Sequence, residues 1–408
     1  MPEAQAALEA TVPYARSIVA LEPGAFETIR RSVAALFRVA HGEAYQRRAD
    51  AEPDAGPVAR HRPPNHAVFM GYDFHLTPAG PRLIEVNTNA GGALLNGLHT
   101  AALCPPAQLA CLCSALLPVE AMRERLLATF VAEQAAAHPG RPLARVAIAD
   151  ERPGAQFLRA EFELFRALFA AAGIAAVVCD VGDLVRAPEG GLRVRAPEGL
   201  PGEAVADPLD LVYLRDTDWR LDAPRSAALR AAYLAGEVVV TPSPREHHLL
   251  AHKGRLAWLS SRETLLALGA SPEDAALLAA VVPETRVLAA LGVEEAWRTR
   301  REWVFKPEAA WASRAVYRGD KISRRKLEEI AAAGGFVAQR RVEPGEVVVA
   351  TGEGPRRMKF DVRAYAYRDE VLLLGARAYQ GQVTNLRTPG GGFSAICVVR
   401  EAAGEAAR

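Results

Sequence analysis

The chain has 408 residues, half of them apolar and 24% charged, which at roughly 100–200 residues per domain describes a globular protein of two or three domains. Forty-nine basic residues against 48 acidic ones leave a net charge of +1, which excludes nucleic-acid binding by bulk positive charge. No apolar, charge-free run reaches about 18 residues, so no membrane association is expected. The N-terminus lacks the basic and apolar regions of a secretory signal.

Cysteine is sparse and odd in number: Cys104, Cys111, Cys113, Cys179 and Cys397. A disulfide scaffold is therefore not expected, and a reducing, cytoplasmic setting is. Arginine has taken nearly every basic position. Only Lys253, Lys306, Lys321, Lys326 and Lys359 are lysines, and these mark positions where a compact ammonium is wanted, or chance survivors of a composition bias.

In chain order, Ala4–Ala20 and Phe26–His41 carry apolar residues at helical spacing, and the proline-rich stretch 51–65 reads as a linker. Residues 67–75 and 82–88, separated by Thr-Pro-Ala-Gly-Pro, read as a β-hairpin. Residues 93–136 read as helical. Arg145–Asp150, Gln156–Ala172 and Ile174–Val181 form a strand–helix–strand unit, which predicts a parallel sheet. Asp210–Arg215 and Glu237–Thr241 fit later strands of that sheet, with a loop region over 186–209. Further on, Trp303–Pro307, Phe336–Gln339, Lys359–Tyr367 and Val371–Tyr379 read as strands and Ser323–Ala333 as a helix. Gly390–Gly392 reads as a late flexible loop.

The hairpin carries the first candidate chemistry. Glu85 and Asn87 are two apart on a strand and share a face. Antiparallel partners have a constant index sum, so a turn centred on Ala79 sets Asp73 opposite Glu85. Two carboxylates and an amide oxygen on one surface suit a hard cation such as Mg²⁺. The same pattern also describes an ordinary solvated polar face. Lys359, Asp361 and Arg363 alternate with apolar residues and so share a strand face, lining a pocket or facing water. Arg215 and Asp216, with Asp218 and Trp219, follow a strand of the parallel sheet, where ligands often bind, and are candidate substrate contacts. His247, His248 and His252 lack a Cys/His partner set and read as structural or solvated.

Together these pieces resemble the circularly permuted ATP-grasp ligases, in particular glutathionylspermidine synthase. In that family an Asp is followed twelve residues later by Glu-x-Asn, here Asp73 and Glu85-Val-Asn87, ahead of the nucleotide lysines. His252-Lys253, Lys306-Pro307 and Val337-Ala-Gln339-Arg340-Arg341 resemble its phosphate-binding and adenine-hinge segments. The run Lys359-Phe-Asp361-Val-Arg363-Ala-Tyr365, with Arg377 on the next strand, also resembles the tubulin-tyrosine-ligase branch. Thr384-Asn385 resembles a further segment of glutathionylspermidine synthase.

The resemblance implies an α/β ATP-grasp fold in permuted order. It divides the chain into a helical N-terminal segment (1–65), a portion with the metal hairpin and following helices (66–140), a Rossmann-like pre-ATP-grasp domain (141–245) and a nucleotide-binding domain (246–408). It implies amide formation through an acyl phosphate, with ATP and Mg²⁺ as cofactors. Lys253 and Lys306 would bind the phosphates, and Gln339 and Arg340 would lie at the adenine. Lys359 and Asp361 would also face the nucleotide, Asp361 as a second metal ligand or as a partner for Lys359. Asp73, Glu85 and Asn87 would hold Mg²⁺, Arg363 and Arg377 the reacting anion, and Asn385 the substrate.

The implied partners are a small carboxylate and an amine, and related ligases are often dimeric. Two departures stand out. Gly71 replaces an arginine of the family, and the stretch 310–316 lacks the glycines of its phosphate-covering loop. They leave open a nucleotide- or partner-binding protein without turnover, and a phosphotransferase.

Overall fold

The computed structural model describes residues 12–103, 118–195, 207–309, 315–382 and 384–399. Its strands fall into four groups along the chain. The first holds β1 (Tyr14–Leu21), β2 (Met70–Thr77) and β3 (Gly80–Asn87). The second holds β4 (Arg145–Asp150), β5 (Ala175–Asp180), β6 (Leu184–Arg186), β7 (Leu192–Val194), β8 (Leu211–Leu214) and β9 (Val239–Thr241). The third holds β10 (Thr285–Val287), β11 (Trp303–Pro307), β12 (Tyr317–Arg318) and β13 (Phe336–Arg340). The last holds β14 (Gly345–Thr351), β15 (Gly354–Tyr367), β16 (Glu370–Tyr379) and β17 (Gly392–Val398).

The first and last groups form one seven-stranded sheet, ordered β14-β1-β17-β16-β15-β2-β3. Because β14 also pairs with β15, five of these strands close into a ring. The first described strand, β1, sits parallel to β17 and antiparallel to β14, so the earliest and latest described strands are joined by backbone hydrogen bonds. On β1, Ala15, Ser17, Val19 and Leu21 are buried while Arg16, Ile18 and Ala20 are exposed. That period of two belongs to a strand, and it corrects the expected helix over Ala4–Ala20 where the structure describes it. The alanines favour a helix locally, but pairing on both edges decides otherwise.

Helix Pro23–Ala40 begins with a proline whose missing N–H costs nothing there. Its buried stripe of Ile29, Val33, Leu36 and Val39 packs in one cluster with Tyr72, Phe74 and Val362 of the sheet. Each such aliphatic side chain contributes about 1.5–3 kcal/mol on burial. The expected 51–65 linker instead holds a short helix, Pro57–Arg60. Val58 and Ala59 are buried there, and Arg245 donates to the carbonyl of Ala59 at 2.9 Å.

The second group contains the expected parallel sheet, ordered β5-β4-β8-β9, with helices Arg159–Ala171 and Ala227–Leu234 as crossovers. Part of the expected loop over 186–209 is an antiparallel hairpin of β6 and β7. The third group is a four-stranded sheet, β10-β13-β11-β12, backed by helix Arg324–Ala333. Helices Ala93–Leu103 and Val119–Ala137 bear out the helical reading on either side of residues outside the described set, which include Cys104, Cys111 and Cys113.

Strands β14 and β17 were not anticipated. Nor is Gly390–Gly392 a free loop: Gly392 opens β17 at φ +130°, where an added Cβ would meet the Pro13 carbonyl. Cys179 is a buried free thiol. Cys397 is disulfide-bonded, contrary to the reading of the cysteines as reduced. Among the described residues no helix is long and apolar enough to cross a membrane.

Candidate active site

The predicted pairing of Asp73 with Glu85 is present, but the turn is not centred on Ala79. Thr77 pairs with Gly80, which shifts the index sum by one. A bulge that leaves Ile84 unpaired restores it, so Asp73 faces Glu85 and Gly71 faces Asn87. On the other edge of β2, Asp73 pairs with Arg363 of β15, and two residues away Asp361 pairs with Arg377 of β16. Glu85, Asp73 and Arg363 thus form a row across three strands, with Asp361 and Arg377 beside it.

Side chains complete the row. Arg363 donates Nε and Nη2 to Asp73 at 2.6 and 2.7 Å. Arg377 donates to Asp73 at 2.8 Å and to both oxygens of Asp361 at 2.9 and 2.8 Å. Asn87 Nδ2 donates to Asp73 at 3.2 Å and to Glu85 at 3.3 Å. Thr384 adds a 2.6 Å hydrogen bond to Asp361. Burial would raise the Asp73 carboxyl, but the two guanidiniums outweigh it and hold it at about 2.

Gly71 explains how Arg363 gets there. A Cβ on Gly71 would lie 2.5 Å from the Ala90 Cβ and 3.3 Å from Arg363 Nε. The Arg363 guanidinium therefore occupies the space over residue 71.

The row forms part of the wall of a cavity of about 960 Å³. Lys306 reaches it from β11, donating to Gln339 Oε1 at 2.7 Å and to the Ile84 carbonyl at 3.1 Å. Burial pushes the Lys306 ammonium down to about 8, although Glu85 draws it up. Lys253 Nζ lies 3.8 Å from Glu85 Oε2. Burial would raise Glu85, and Lys253 turns the balance so that its carboxyl is lowered. Gln339, Arg340, Arg341 and Val342 line the wall at the end of β13. Arg340 is drawn outward, donating Nε to Glu284 at 2.9 Å and stacking over Trp303. Lys359 donates to the Gly381 carbonyl at 2.8 Å and also lines the cavity.

The substrate candidates separate. Asp216 lines the cavity, with its carboxylate held by Arg225 at 3.0 and 3.2 Å. Asn385 lines it too, and hydrogen-bonds within its own loop to Gln380 and Thr388. Arg215 lies beneath the wall, donating to Tyr213 at 3.1 Å and buried against Phe162. A Cβ on Gly91 would come within 2.9 Å of Arg215 Nη2, so that glycine admits the guanidinium. Of the glycine-free stretch 310–316, only Ala315 and Val316 are within the described residues.

Sequence reasoning set aside one wall residue. His247 stacks on Trp219 at 4.4 Å and 15°, with Nδ1 2.9 Å from Thr88 Oγ1. Burial, and then Lys253, hold its imidazole well below its usual range, so it is neutral. It opens a π-helical turn, His247–Ala251, that leads to Lys253. Such turns frequently occur at functional sites, but His-His-Leu-Leu-Ala has no local signature of one. His248 is structural, bonded to the Ala49 carbonyl at 2.9 Å.

No family model matches the sequence, and no curated protein does. Solved structures do match. A glutathione synthetase-like effector from Globodera pallida, in its apo form, superposes with TM-score 0.60 at 12% identity, over 95% of this chain and 90% of that one. A putative gamma-glutamylcysteine synthetase from Methylobacillus flagellatus KT gives TM-score 0.47 at 10% identity, over 90% and 85% of the two chains. The chain has a mixed α/β fold in the form carried by a glutathione synthetase-like protein.

Proposed function

We propose that this chain is an ATP-dependent ligase that joins a small carboxylate to an amine through an acyl phosphate. The observation that carries this reading is the charge of the cavity wall. Nine Lys and Arg side chains face five Asp and Glu side chains there, with Lys253 and Lys306 beside Glu85. An excess of cations along the wall suits a polyphosphate.

The hairpin fits a hard cation by its donor set: the Glu85 carboxylate, the Asp73 carboxylate and the Asn87 amide oxygen. Asn87 now turns its Nδ2 to both acids, and rotation of the amide would present the oxygen instead. When bound, Mg²⁺ would supply charge neutralisation at the phosphates. We read the order of the chain, hairpin before lysines, as the permuted form of the fold.

In this reading Lys253 and Lys306 hold the phosphates, and the end of β13 flanks the adenine. A substrate carboxylate oxygen bonds to the γ-phosphorus as the bond to the ADP oxygen breaks. An amine nitrogen then bonds to the acyl carbon, phosphate departs with the bonding pair, and the amine releases a proton. No protein nucleophile is required. A guanidinium has five N–H donors on three nitrogens. The carboxylates engage two nitrogens each of Arg363 and Arg377, which leaves the third of each for the acyl phosphate.

The test is ADP release by the full chain, screened over acid and amine pairs, beside calorimetry of ATP with and without Mg²⁺. The ligase reading expects Mg-dependent ATP binding and ADP release that requires both substrates. A second reading, nucleotide or partner binding without turnover, is favoured by the engagement of Asp73 with two arginines. It expects ATP or partner binding with no ADP. ADP released with a single acceptor and no amine would mark a phosphotransferase.

A further inference from the structure

His41, His66 and Glu246 meet next to the segment that carries His247 and Lys253. They come from the end of helix Pro23–Ala40, the approach to β2 and the residue just before the π-helical turn. His41 Nε2 lies 2.7 Å from Glu246 Oε1, and His66 Nδ1 lies 3.0 Å from the same oxygen. All three ligand atoms lie within 4.8 Å of one another. The other nitrogen of His41 is 2.7 Å from the Phe37 carbonyl, so Nδ1 carries a proton and donates it there. In neutral His41 the Nε2 lone pair then faces a carboxylate oxygen. Two lone pairs do not approach to that distance unless positive charge lies between them. Either extra protons or one cation must supply it.

We propose that His41 Nε2, His66 Nδ1 and Glu246 Oε1 form a site for a divalent transition metal of the zinc class, separate from the Asp73 hairpin. Two imidazoles and one carboxylate are the donors such ions prefer, and Mg²⁺ prefers all-oxygen sets. The Phe37 carbonyl supplies the outer hydrogen bond that orients a ligating histidine. The two rings stand nearly perpendicular, at 82° with centroids 4.9 Å apart, and Phe37 packs against both. The Glu246 side chain is buried, while His41 and His66 keep about a fifth to a quarter of theirs exposed, which opens one side to water. An ion there ties three separated segments together next to His247. This assignment is independent of the ligase reading.

The experiment uses the tag-free full chain, stripped with chelator. Zn²⁺ is titrated by calorimetry and Co²⁺ by visible absorption, in wild type, His66→Ala, Glu246→Gln and Glu85→Gln. The site predicts one zinc per chain that survives in Glu85→Gln, with a Co²⁺ absorption band typical of imidazole ligation. It predicts binding at least tenfold weaker in His66→Ala and in Glu246→Gln, with far-ultraviolet circular dichroism unchanged. If Glu246→Gln unfolds, the partly exposed His66 decides the matter alone. Absence of zinc binding in wild type, or binding that His66→Ala leaves intact, would overturn the site and leave a proton-bridged His–Glu–His cluster.

Discussion

Arg363 grips both carboxylate oxygens of Asp73, at 2.6 and 2.7 Å, across the pair of strands β15 and β2. Asp73 therefore has a structural partner as well as a place beside Glu85, and this separates the two acids experimentally. Removing one member of a buried ion pair costs about 3–5 kcal/mol. Asp73→Asn is expected to lower the thermal midpoint as well as abolish ADP release. Glu85→Gln, more exposed and without an arginine in contact, is expected to abolish ADP release with stability near wild type. Equal stability of Asp73→Asn and wild type would remove the ion-pair assignment.

Acid unfolding should carry the same signature. The Asp73 carboxyl is lowered from its ordinary value of 3.8 to about 2. Its contribution is fully present above the unfolded value and is lost as pH falls towards 2. The shift corresponds to about 2 kcal/mol. Urea unfolding at pH 6 and pH 3 should show a smaller loss in Asp73→Asn than in wild type. An identical loss in the two proteins would contradict this.

Lys306 predicts a second pH dependence at the alkaline end. Its ammonium, pushed down to about 8, is charged below that value and neutral above it. ATP capture, read as kcat/KM, should fall as pH rises through about 8. In Lys306→Arg, which keeps its charge, that fall should vanish. In Lys306→Ala the ATP dissociation constant should rise at least tenfold at pH 7. A dissociation constant that does not move would exclude Lys306 from the phosphate site.

Gly71 is expected to be required because Arg363 lies over it. Gly71→Ala places a methyl 2.5 Å from the Ala90 Cβ and 3.3 Å from Arg363 Nε. Overpacking of this kind costs about 1–3 kcal/mol, readable as an earlier urea midpoint. A variant as stable as wild type would show that the arginine can move aside freely.

Part of this molecule is legible in the sequence because the signals are local. Period-two alternation put Glu85 and Asn87 on one face, and it put Lys359, Asp361 and Arg363 on another. The strand–helix–strand pattern predicted the parallel sheet. Even the pairing of Asp73 with Glu85 is as expected, although its cause is a bulge at Ile84 and not a turn centred on Ala79. Local periodicity failed at Tyr14–Leu21, where apolar residues at helical spacing became a strand because β14 and β17 offered both of its edges a partner.

By itself, then, the sequence determined the residue types, their faces and the hairpin that gathers two acids and an amide. Only the tertiary structure decided their partners. Arg363 reaches Asp73 across 290 positions of sequence, and Glu246 meets His41 across 205. Such pairings depend on the order in which strands join a sheet and on which helix covers it, and no periodicity within a window of residues encodes that order.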